Sequence, residues 1–435
     1  MEKNQKLSLL EAILINCNII IGTGIFINTT ELAKRAGILG AFSYGIVGIL
    51  LFPLIFSFVR LLQLYPVGGF YAFSKPLHPF VGFLNTWCYF ATKMSSATLA
   101  IHIFVLLIQK TFPFLAEYNP LILDIGLLSV IMGLNMLNIR TGSSIQNYLM
   151  VFKLFPLFLV IFSGLFLYNP EYFSVIHHVW EGIPSSIPLV MHALVGFEAI
   201  CAISRTIKNP EKNAPLAIII SYSIVIMLYM LYQIFFYSIL GPELAAQTDY
   251  RGAFPLLLEK LSTSTAVKSL LCHIIHIGIA TSALSASFGI IFANMWNIYS
   301  LAELKHLPGA DIIMRKNRFN VPFMCVLIEG IIALSFLFLI RGTQTTFQQL
   351  SAFGATLTYT ISIISLIVIL HKKGLSKTIP LLGLINCFIL LSISLFAMWR
   401  SHNPLPLFIF IGIIGIGALL YRTREHDTAP SDEIV

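Results

Sequence analysis

Residues 18–26 read NIIIGTGIF, which places Gly22, Thr23 and Gly24 in the middle of an apolar run from about Leu9 to Ala36. The run is long enough to cross a bilayer. Backbone groups freed by a break at mid-depth have no water partner, so such a break persists where it lines a cavity. The second half-helix then offers free N–H donors and a positive dipole end to an anion such as a carboxylate. The alternative is a glycine pair that serves close helix packing.

Composition indicates a multi-pass membrane protein. Of the 435 residues, 57% are hydrophobic and 11% are charged, and the mean hydropathy is +0.86. No soluble domain of this length needs so much apolar surface. The net charge of +8 is spread over short loops, so it does not indicate a nucleic-acid partner. The six cysteines lie in apolar segments without metal-ligand spacing, so neither a metal site nor a cofactor is expected.

The hydropathy pattern predicts an all-α membrane protein with about twelve spans, since each span needs about 20 apolar residues. Loops on the N-terminal side carry about twice as many Lys and Arg residues as loops on the other side, which predicts cytoplasmic termini. We therefore expect a cytoplasmic N-terminus at 1–8, one transmembrane domain at 9–421 and a cytoplasmic tail at 422–435. The predicted spans are 9–35, 39–63, 80–108, 121–138, 147–168, 187–204, 215–240, 269–298, 322–340, 347–370, 379–398 and 404–421.

A second interruption occurs in the sixth predicted span. Residues 192–199 read HALVGFEA, with Gly196 beside polar groups in mid-span and five spans after the first break. Glycine-interrupted helices in corresponding positions of two halves are typical of inverted-repeat transporters, whose substrate site lies at the bilayer midplane. The two breaks together therefore predict a binding site between the first and sixth spans.

Four motifs follow one another in a specific order along the chain. They are IIGTGIF at 20–26, YPVGGFY at 65–71, GFE at 196–198 and KNPEKNAP at 208–215. In this order and spacing they resemble the amino acid–polyamine–organocation (APC) superfamily of permeases. The motifs are similar to that family's helix-one signature, the turn after helix two, and helix six with its cytoplasmic exit.

The resemblance implies a fold and an activity. The fold would have two inverted five-helix repeats, at about 9–168 and 187–370, with discontinuous helices 1 and 6. Two peripheral helices would follow at about 379–421. The activity would be transport of an amino acid or related amine across the plasma (inner) membrane by alternating access. The protein would work as a monomer or homodimer.

The resemblance also implies a substrate site at the two breaks. The substrate carboxylate would bind backbone N–H groups and the hydroxyl of the first break, and the ammonium would bind carbonyls that end the first half-helices. Helix dipoles favour the same signs of charge. His192 takes the position of a gating aromatic in relatives, although a membrane histidine also commonly bonds helix to helix. The implied substrate-binding residues are Ile20, Gly22, Thr23, Gly24, His192, Ala193, Val195 and Gly196.

Three ionisable residues inside predicted spans are candidates for coupling or gating, because an unpaired charge is costly in a membrane. Lys153 matches a lysine that, in relatives, occupies the space of a sodium ion, which suits proton-linked or sodium-independent transport; alternatively it snorkels to the interface. Glu198 is either a gate or proton-sensing carboxylate, or a hydrogen-bond partner for unwound backbone. Lys93 either faces the cavity and rejects cations, or forms a structural ion pair with Glu198 or another carboxylate.

The chain departs from the family pattern at the expected inner gate. It has Arg205 and Thr206 where relatives commonly carry acidic residues, and Trp296 where they often carry a basic one. The cytoplasmic gating pair is therefore expected to differ. Trp87, Tyr89, Trp296 and Tyr299 are interpreted as packing or interface aromatics; alternatively, one of them closes the cavity.

A secondary transporter, coupled to protons or working by exchange without sodium, fits these features. The alternatives are a channel or a ligand-binding sensor of the same fold. The sequence lacks H-E-x-x-H, G-x-S-x-G and Walker motifs, which argues against an enzyme or a primary pump.

Overall fold

The computed structural model describes residues 6–137, 139–174, 180–248, 250–261, 264–339, 344–400 and 404–423. Most of the predicted N-terminal segment and tail, residues 1–5 and 424–435, lie outside this set. Regular structure in the described residues is helical, apart from one isolated β-bridge. The α-helices are α1 (Leu9–Ile20), α2 (Gly24–Ala36), α3 (Leu39–Leu64), α4 (Gly69–Ser74), α5 (Pro79–Thr111), α6 (Pro120–Asn135), α7 (Ile139–Leu167), α8 (Glu171–Ser174), α9 (Ile183–Leu194), α10 (Ala199–Ile203), α11 (Pro210–Leu240), α12 (Pro242–Ala246), α13 (Tyr250–Lys260), α14 (Thr265–Glu303), α15 (Ala310–Ile313), α16 (Phe323–Leu339), α17 (Gln344–Lys372), α18 (Thr378–Arg400) and α19 (Leu405–Arg422).

The predicted all-α membrane fold is confirmed. Among the described residues, nine helices are long and apolar enough to cross a membrane, and the bent pair α1–α2 makes a tenth span. Two further apolar helices, α6 and α16, have 16 and 17 residues. At 1.5 Å per residue they reach only about 25 Å, short of the ~30 Å bilayer core. They occupy the places of the fourth and ninth predicted spans, so each of the twelve segments has a helix.

Span 1, formed by α1 and α2, is broken at the glycine pair. A capping box between Ser8 and Glu11 starts α1, which ends at Ile20. The axis of α2, which begins at Gly24, is bent by 50° from that of α1. The N–H of Gly22 folds back onto the carbonyl of Ile20 at 2.8 Å, which ends the α-helical pattern.

Span 6, formed by α9 and α10, is broken over residues 195–198. Gly196 has a φ of 125°, a conformation that glycine adopts without the steric penalty a Cβ would bring. A 3-10 turn at Ser204–Thr206 follows α10, so the span ends two residues beyond the predicted 204. Both predicted discontinuities are therefore present in the fold.

One end of the molecule joins the two broken spans. The N–H of Leu7 donates to the carbonyl of Thr206 at 2.7 Å, and the N–H of Lys208 donates to the carbonyl of Leu7 at 2.9 Å. The start of α1 and the end of α10 therefore lie side by side, and spans 1 and 6 run in opposite directions.

The remaining helices surround this pair. Helix α14 packs along α5 and α7, and α11 packs along α1 and α3. With 39 residues, α14 is about 58 Å long and extends beyond a bilayer core. Helices α18 and α19 are the most exposed spans, and their outer faces carry large apolar side chains that suit lipid contact: Trp399, Phe408 and Leu419. The division into two inverted repeats stays a prediction.

Candidate binding site between the broken helices

The two breaks face each other at van der Waals distance. A Cβ added to Gly24 would lie 3.1 Å from Cα and Cβ of Ala193 in α9. A Cβ added to Gly196 would lie 3.4 Å from Ile19 and Ile20 in α1. Glycine at both positions therefore lets the two interrupted backbones approach closely, as the close-packing alternative expects. The binding site at the breaks stays a prediction.

The start of α2 presents unpaired donors. Phe26 and Ile27 both donate to the carbonyl of Thr23 at 3.1 Å, as in an ordinary first turn. The N–H groups of Thr23, Gly24 and Ile25 make no hydrogen bond to the part of the chain that the structure describes. These donors, with the half-buried Gly22, Thr23 and Gly24 around them, form the positive end of a helix dipole. They can accommodate an anionic group.

Lys153 occupies the other side of this break. Its ammonium donates to the carbonyls of Asn18 at 2.5 Å and Ile21 at 2.6 Å, and to Oγ of Ser285 at 2.8 Å. The side chain is fully buried, so the ammonium does not snorkel to an interface. The negative end of the α1 dipole is thus neutralised by a cation that belongs to the protein.

For Ile20 the structure differs from the prediction. Its carbonyl already accepts the N–H of Gly22 at 2.8 Å and the hydroxyl of Tyr229 at 3.2 Å. A carbonyl oxygen has two lone pairs, so this one is filled and leaves no place for a substrate ammonium. Tyr229 lies on α11, 209 positions away from Ile20, and no sequence motif pointed to it.

The end of α9 keeps its acceptors open. The carbonyls of residues 192–195, which include Ala193 and Val195, accept no hydrogen bond from any described residue. His192 is exposed there, and Lys93 is close enough to act on it electrostatically. Free carbonyls at a helix C-terminus attract cations. Carbonyls that could bind the ammonium are therefore free at the end of α9, and in the last turn of α1 the carbonyl of Ile19 likewise accepts no hydrogen bond from a described residue.

Glu198 closes the donor side of the second break. Its Oε2 accepts the N–H of Gly196 at 2.9 Å, while Oε1 lies 2.5 Å from Nζ of Lys93 and accepts the hydroxyl of Tyr89 at 3.1 Å. Tyr359 lies beside the same carboxylate. Glu198 is fully buried and Lys93 is 6% exposed. Of the alternatives for Lys93, the ion pair with Glu198 is therefore present, and Glu198 does bond the unwound backbone.

A narrow cavity lies on the α1 and α10 side of the breaks. It has room for about one water molecule. Any larger solute needs the surrounding helices to move apart before it can pass. The polar part of the wall comes from α5 and α14, and consists of Tyr89, Lys93, Asn294 and Asn297.

Sequence reasoning missed several of these residues. Tyr89 is not only a packing aromatic, because its hydroxyl bonds Glu198. Asn294 donates to the carbonyl of Phe90 at 2.9 Å and accepts from Asn297 at 2.9 Å. Asparagines inside a predicted span were a usable signal, because an amide in a membrane needs partners or a cavity.

Arg205, where a departure from the family pattern was expected, forms an ion pair at the end of span 6. Nη2 of Arg205, just after α10, lies 2.6 Å from Oε2 of Glu303 at the end of α14. The guanidinium also lies 5.1 Å from the centre of the Tyr299 ring. Trp296, at 2% exposure, packs in the interior. Within the described residues, no cluster of three or more His, Cys, Asp or Glu could hold a metal ion.

Together, the described helices and the two facing breaks define a multi-pass membrane protein with two interrupted spans. The sequence profile of the amino acid permease family matches residues 7–426, so the chain belongs to that family, within the APC superfamily. The family consists of transporters and not of enzymes.

Individual relatives are distant but cover most of the chain. An uncharacterised transporter of Mycobacterium tuberculosis is 26% identical over 98% of this chain and 92% of its own length. The cystine/glutamate transporter of Homo sapiens is 25% identical over 90% of this chain and 81% of its own. An amino-acid permease of Bacillus subtilis is 22% identical over 69% of this chain and 66% of its own.

Proposed function

We propose that this protein is a secondary active transporter that carries an amino acid or a closely related amine across the plasma (inner) membrane by alternating access. Both termini would be cytoplasmic. The observation that supports the proposal is the presence of free backbone groups of opposite polarity at two adjacent breaks. The N–H groups of Thr23, Gly24 and Ile25 would bind the carboxylate, and the carbonyls of residues 192–195 would bind the ammonium.

The geometry supports a carrier over a channel. A channel needs a continuous polar path, whereas here the polar groups converge on two breaks beside a cavity of about one water molecule. The substrate would enter when α10 and α1 move away from α5 and α14, and would leave after the opposite side opens. Because Leu7 forms backbone hydrogen bonds with Thr206 and Lys208, those two half-helices would move as one body.

Lys153 supports transport without sodium. Its ammonium already fills the space between two α1 carbonyls and Ser285. Proton symport would use the loss and return of the Lys153 proton during the cycle, whereas exchange would use Lys153 as a fixed charge.

Purified protein in liposomes tests the proposal. Empty and preloaded vesicles would be offered a panel of labelled amino acids, with and without a pH gradient. We expect saturable uptake that is stimulated by substrate on the opposite side. Non-saturable flux would indicate a channel, and binding without uptake would indicate a sensor, so either result contradicts the proposal.

Replacement of sodium by choline in the same assay tests the coupling ion. Because the ammonium of Lys153 holds the carbonyls that a cation would need, we expect uptake to be unchanged. A strict sodium requirement would refute the role proposed for Lys153.

A further inference from the structure

The wall of the cavity beside the breaks, as far as the structure describes it, carries a single type of charge. The inference drawn from this charge rests on the proposed function. Among the described residues, Lys93 is the one charged side chain in its wall. Glu198 stands directly behind Lys93, 2.5 Å from its ammonium, with no exposed surface of its own. A solute in the cavity can therefore contact Lys93 directly, whereas Glu198 acts on it only by way of Lys93.

Lys93 retains hydrogen-bonding capacity toward the cavity. An ammonium has three N–H groups, and one is directed at Glu198. No described residue accepts a hydrogen bond from the other two, although the ammonium lies 5.5 Å from the centre of the Tyr89 ring. The side chain is 8% exposed, so bulk water does not satisfy these donors. A ligand acceptor in the cavity would satisfy them.

The net charge of the pair limits which side chains the cavity accepts. A cationic side chain beside Lys93 would be repelled by the ammonium of Lys93. Glu198 would not compensate the added charge, because it already bonds Lys93 and Tyr89. An anionic side chain would add an uncompensated negative charge to a neutral pair in a low-dielectric site. An uncharged acceptor, such as an amide or hydroxyl oxygen, takes the free N–H groups without either penalty. The amide of Asn297 adds a further polar group to the same wall.

We infer that Lys93, held by Glu198, makes this cavity the side-chain site for amino acids with uncharged, hydrogen-bonding side chains, and excludes cationic amino acids. Glutamine, asparagine, serine and threonine belong to the accepted class. Lysine and arginine belong to the excluded class. The role of Glu198 is to fix the ammonium of Lys93 and to cancel its charge, so that acidic side chains are not favoured either.

Competition for uptake in liposomes tests the inference on the unmodified protein. We expect unlabelled glutamine or serine to compete at least about 100-fold better than lysine or arginine, since a like charge at contact distance in a protein interior is strongly unfavourable. Equal competition by arginine would overturn the inference. If no amino acid is transported at all, the proposed function fails instead, so the two failures are distinguishable.

Lys93→Met gives a gain-of-function test. The variant leaves Glu198 without its cation, so the ammonium of a lysine or arginine substrate can take that place. We expect the ratio of lysine uptake to glutamine uptake to rise at least about tenfold. Lys373→Met, at an exposed lysine, is the matched control and should leave the ratio unchanged. An unchanged ratio in folded Lys93→Met would contradict the inference. If that variant does not fold, the competition experiment on the unmodified protein tests the inference instead.

Discussion

The break in span 1 and the break in span 6 both contain glycine, but charged side chains bind them on opposite sides. At the first break, Lys153 fills the carbonyl side and the N–H groups of Thr23 and Gly24 stay free. At the second, Glu198 takes the N–H of Gly196 and the carbonyls of residues 192–195 stay free. At each break a charged side chain of the protein therefore takes part of one side, and groups of the opposite polarity stay free.

This difference would allow the two breaks to form the proposed site for a zwitterion. Two fully open breaks would each attract both signs of charge, and a substrate could bind in either direction. With one side of each break covered, the carboxylate has a place at span 1 and the ammonium at span 6. The buried charges Lys153 and Glu198 thus give the site a direction, in addition to any coupling role.

The largest effect is expected from filling the contact between the breaks. Gly24→Leu would drive a side chain into Ala193, whose Cα and Cβ lie 3.1 Å from the Cβ position. Because overpacking a close contact displaces backbone, we expect substrate binding to fall by at least about 100-fold. The measurement is equilibrium binding of labelled substrate to purified protein.

Gly412→Leu is the matched control for that substitution. Gly412 lies in α19 with no atom within 4 Å of its Cβ position, so binding should be unchanged. Normal affinity in Gly24→Leu would refute the carboxylate site at span 1.

The next largest effect is expected from uncovering the carbonyl side of the first break. Lys153→Ala leaves the carbonyls of Asn18 and Ile21 without their charged donor. Since a lost hydrogen bond to a charge costs about 1.5–3 kcal/mol, pH-driven accumulation should fall at least about tenfold. Substrate binding should change much less, because the free N–H groups of α2 remain.

Uptake at several imposed pH gradients measures this effect, and Lys373→Ala, at an exposed lysine, is the control. Unchanged pH dependence in Lys153→Ala would remove Lys153 from the coupling mechanism. It would also mean that the carbonyl side of the break need not be covered by a charge.

The smallest effect is expected at the end of span 6. Glu303→Gln removes the ion pair with Arg205, but Glu303 is 45% exposed. Exposed pairs contribute about 0.2–1 kcal/mol, so the transport rate should change about two- to fivefold. The exchange Arg205→Glu with Glu303→Arg should restore most of the rate, because it rebuilds the pair with reversed charges.

Glu243→Gln is the matched control, since its pair with Lys260 is similarly exposed but lies away from the breaks. A double-mutant cycle on uptake rates gives the interaction energy between Arg205 and Glu303. If the exchanged pair is no better than the single variants, Arg205 and Glu303 do not act together as a gate.

Local sequence predicted the positions of the breaks well. NIIIGTGIF and HALVGFEA contain the glycines at which the helices end. The position of a break depends mostly on which backbone conformations these residues can adopt. The twelve apolar segments were predictable for the same reason, because the hydropathy of each segment depends on its own residues alone. The boundaries were less accurate, as span 6 and α14 show.

The partners across the site were not predictable in this way. Tyr229 and the carbonyl of Ile20 are 209 positions apart, and Lys153 and Ser285 are 132 apart. Tyr89 was interpreted as a packing residue because nothing near it in sequence indicates that its hydroxyl meets Glu198. The charge reversal at Arg205 was visible, but its partner Glu303 was not.

The sequence by itself determined that this chain crosses the membrane many times, interrupts spans 1 and 6, and belongs among the amino acid permeases. Those properties follow from hydropathy, glycine placement and motif order, which are local. Only the tertiary structure decided which side of each break is open, because that depends on Lys153 and Glu198 reaching backbone groups folded against them. A backbone dipole is the same in every helix, and its partner is set by packing.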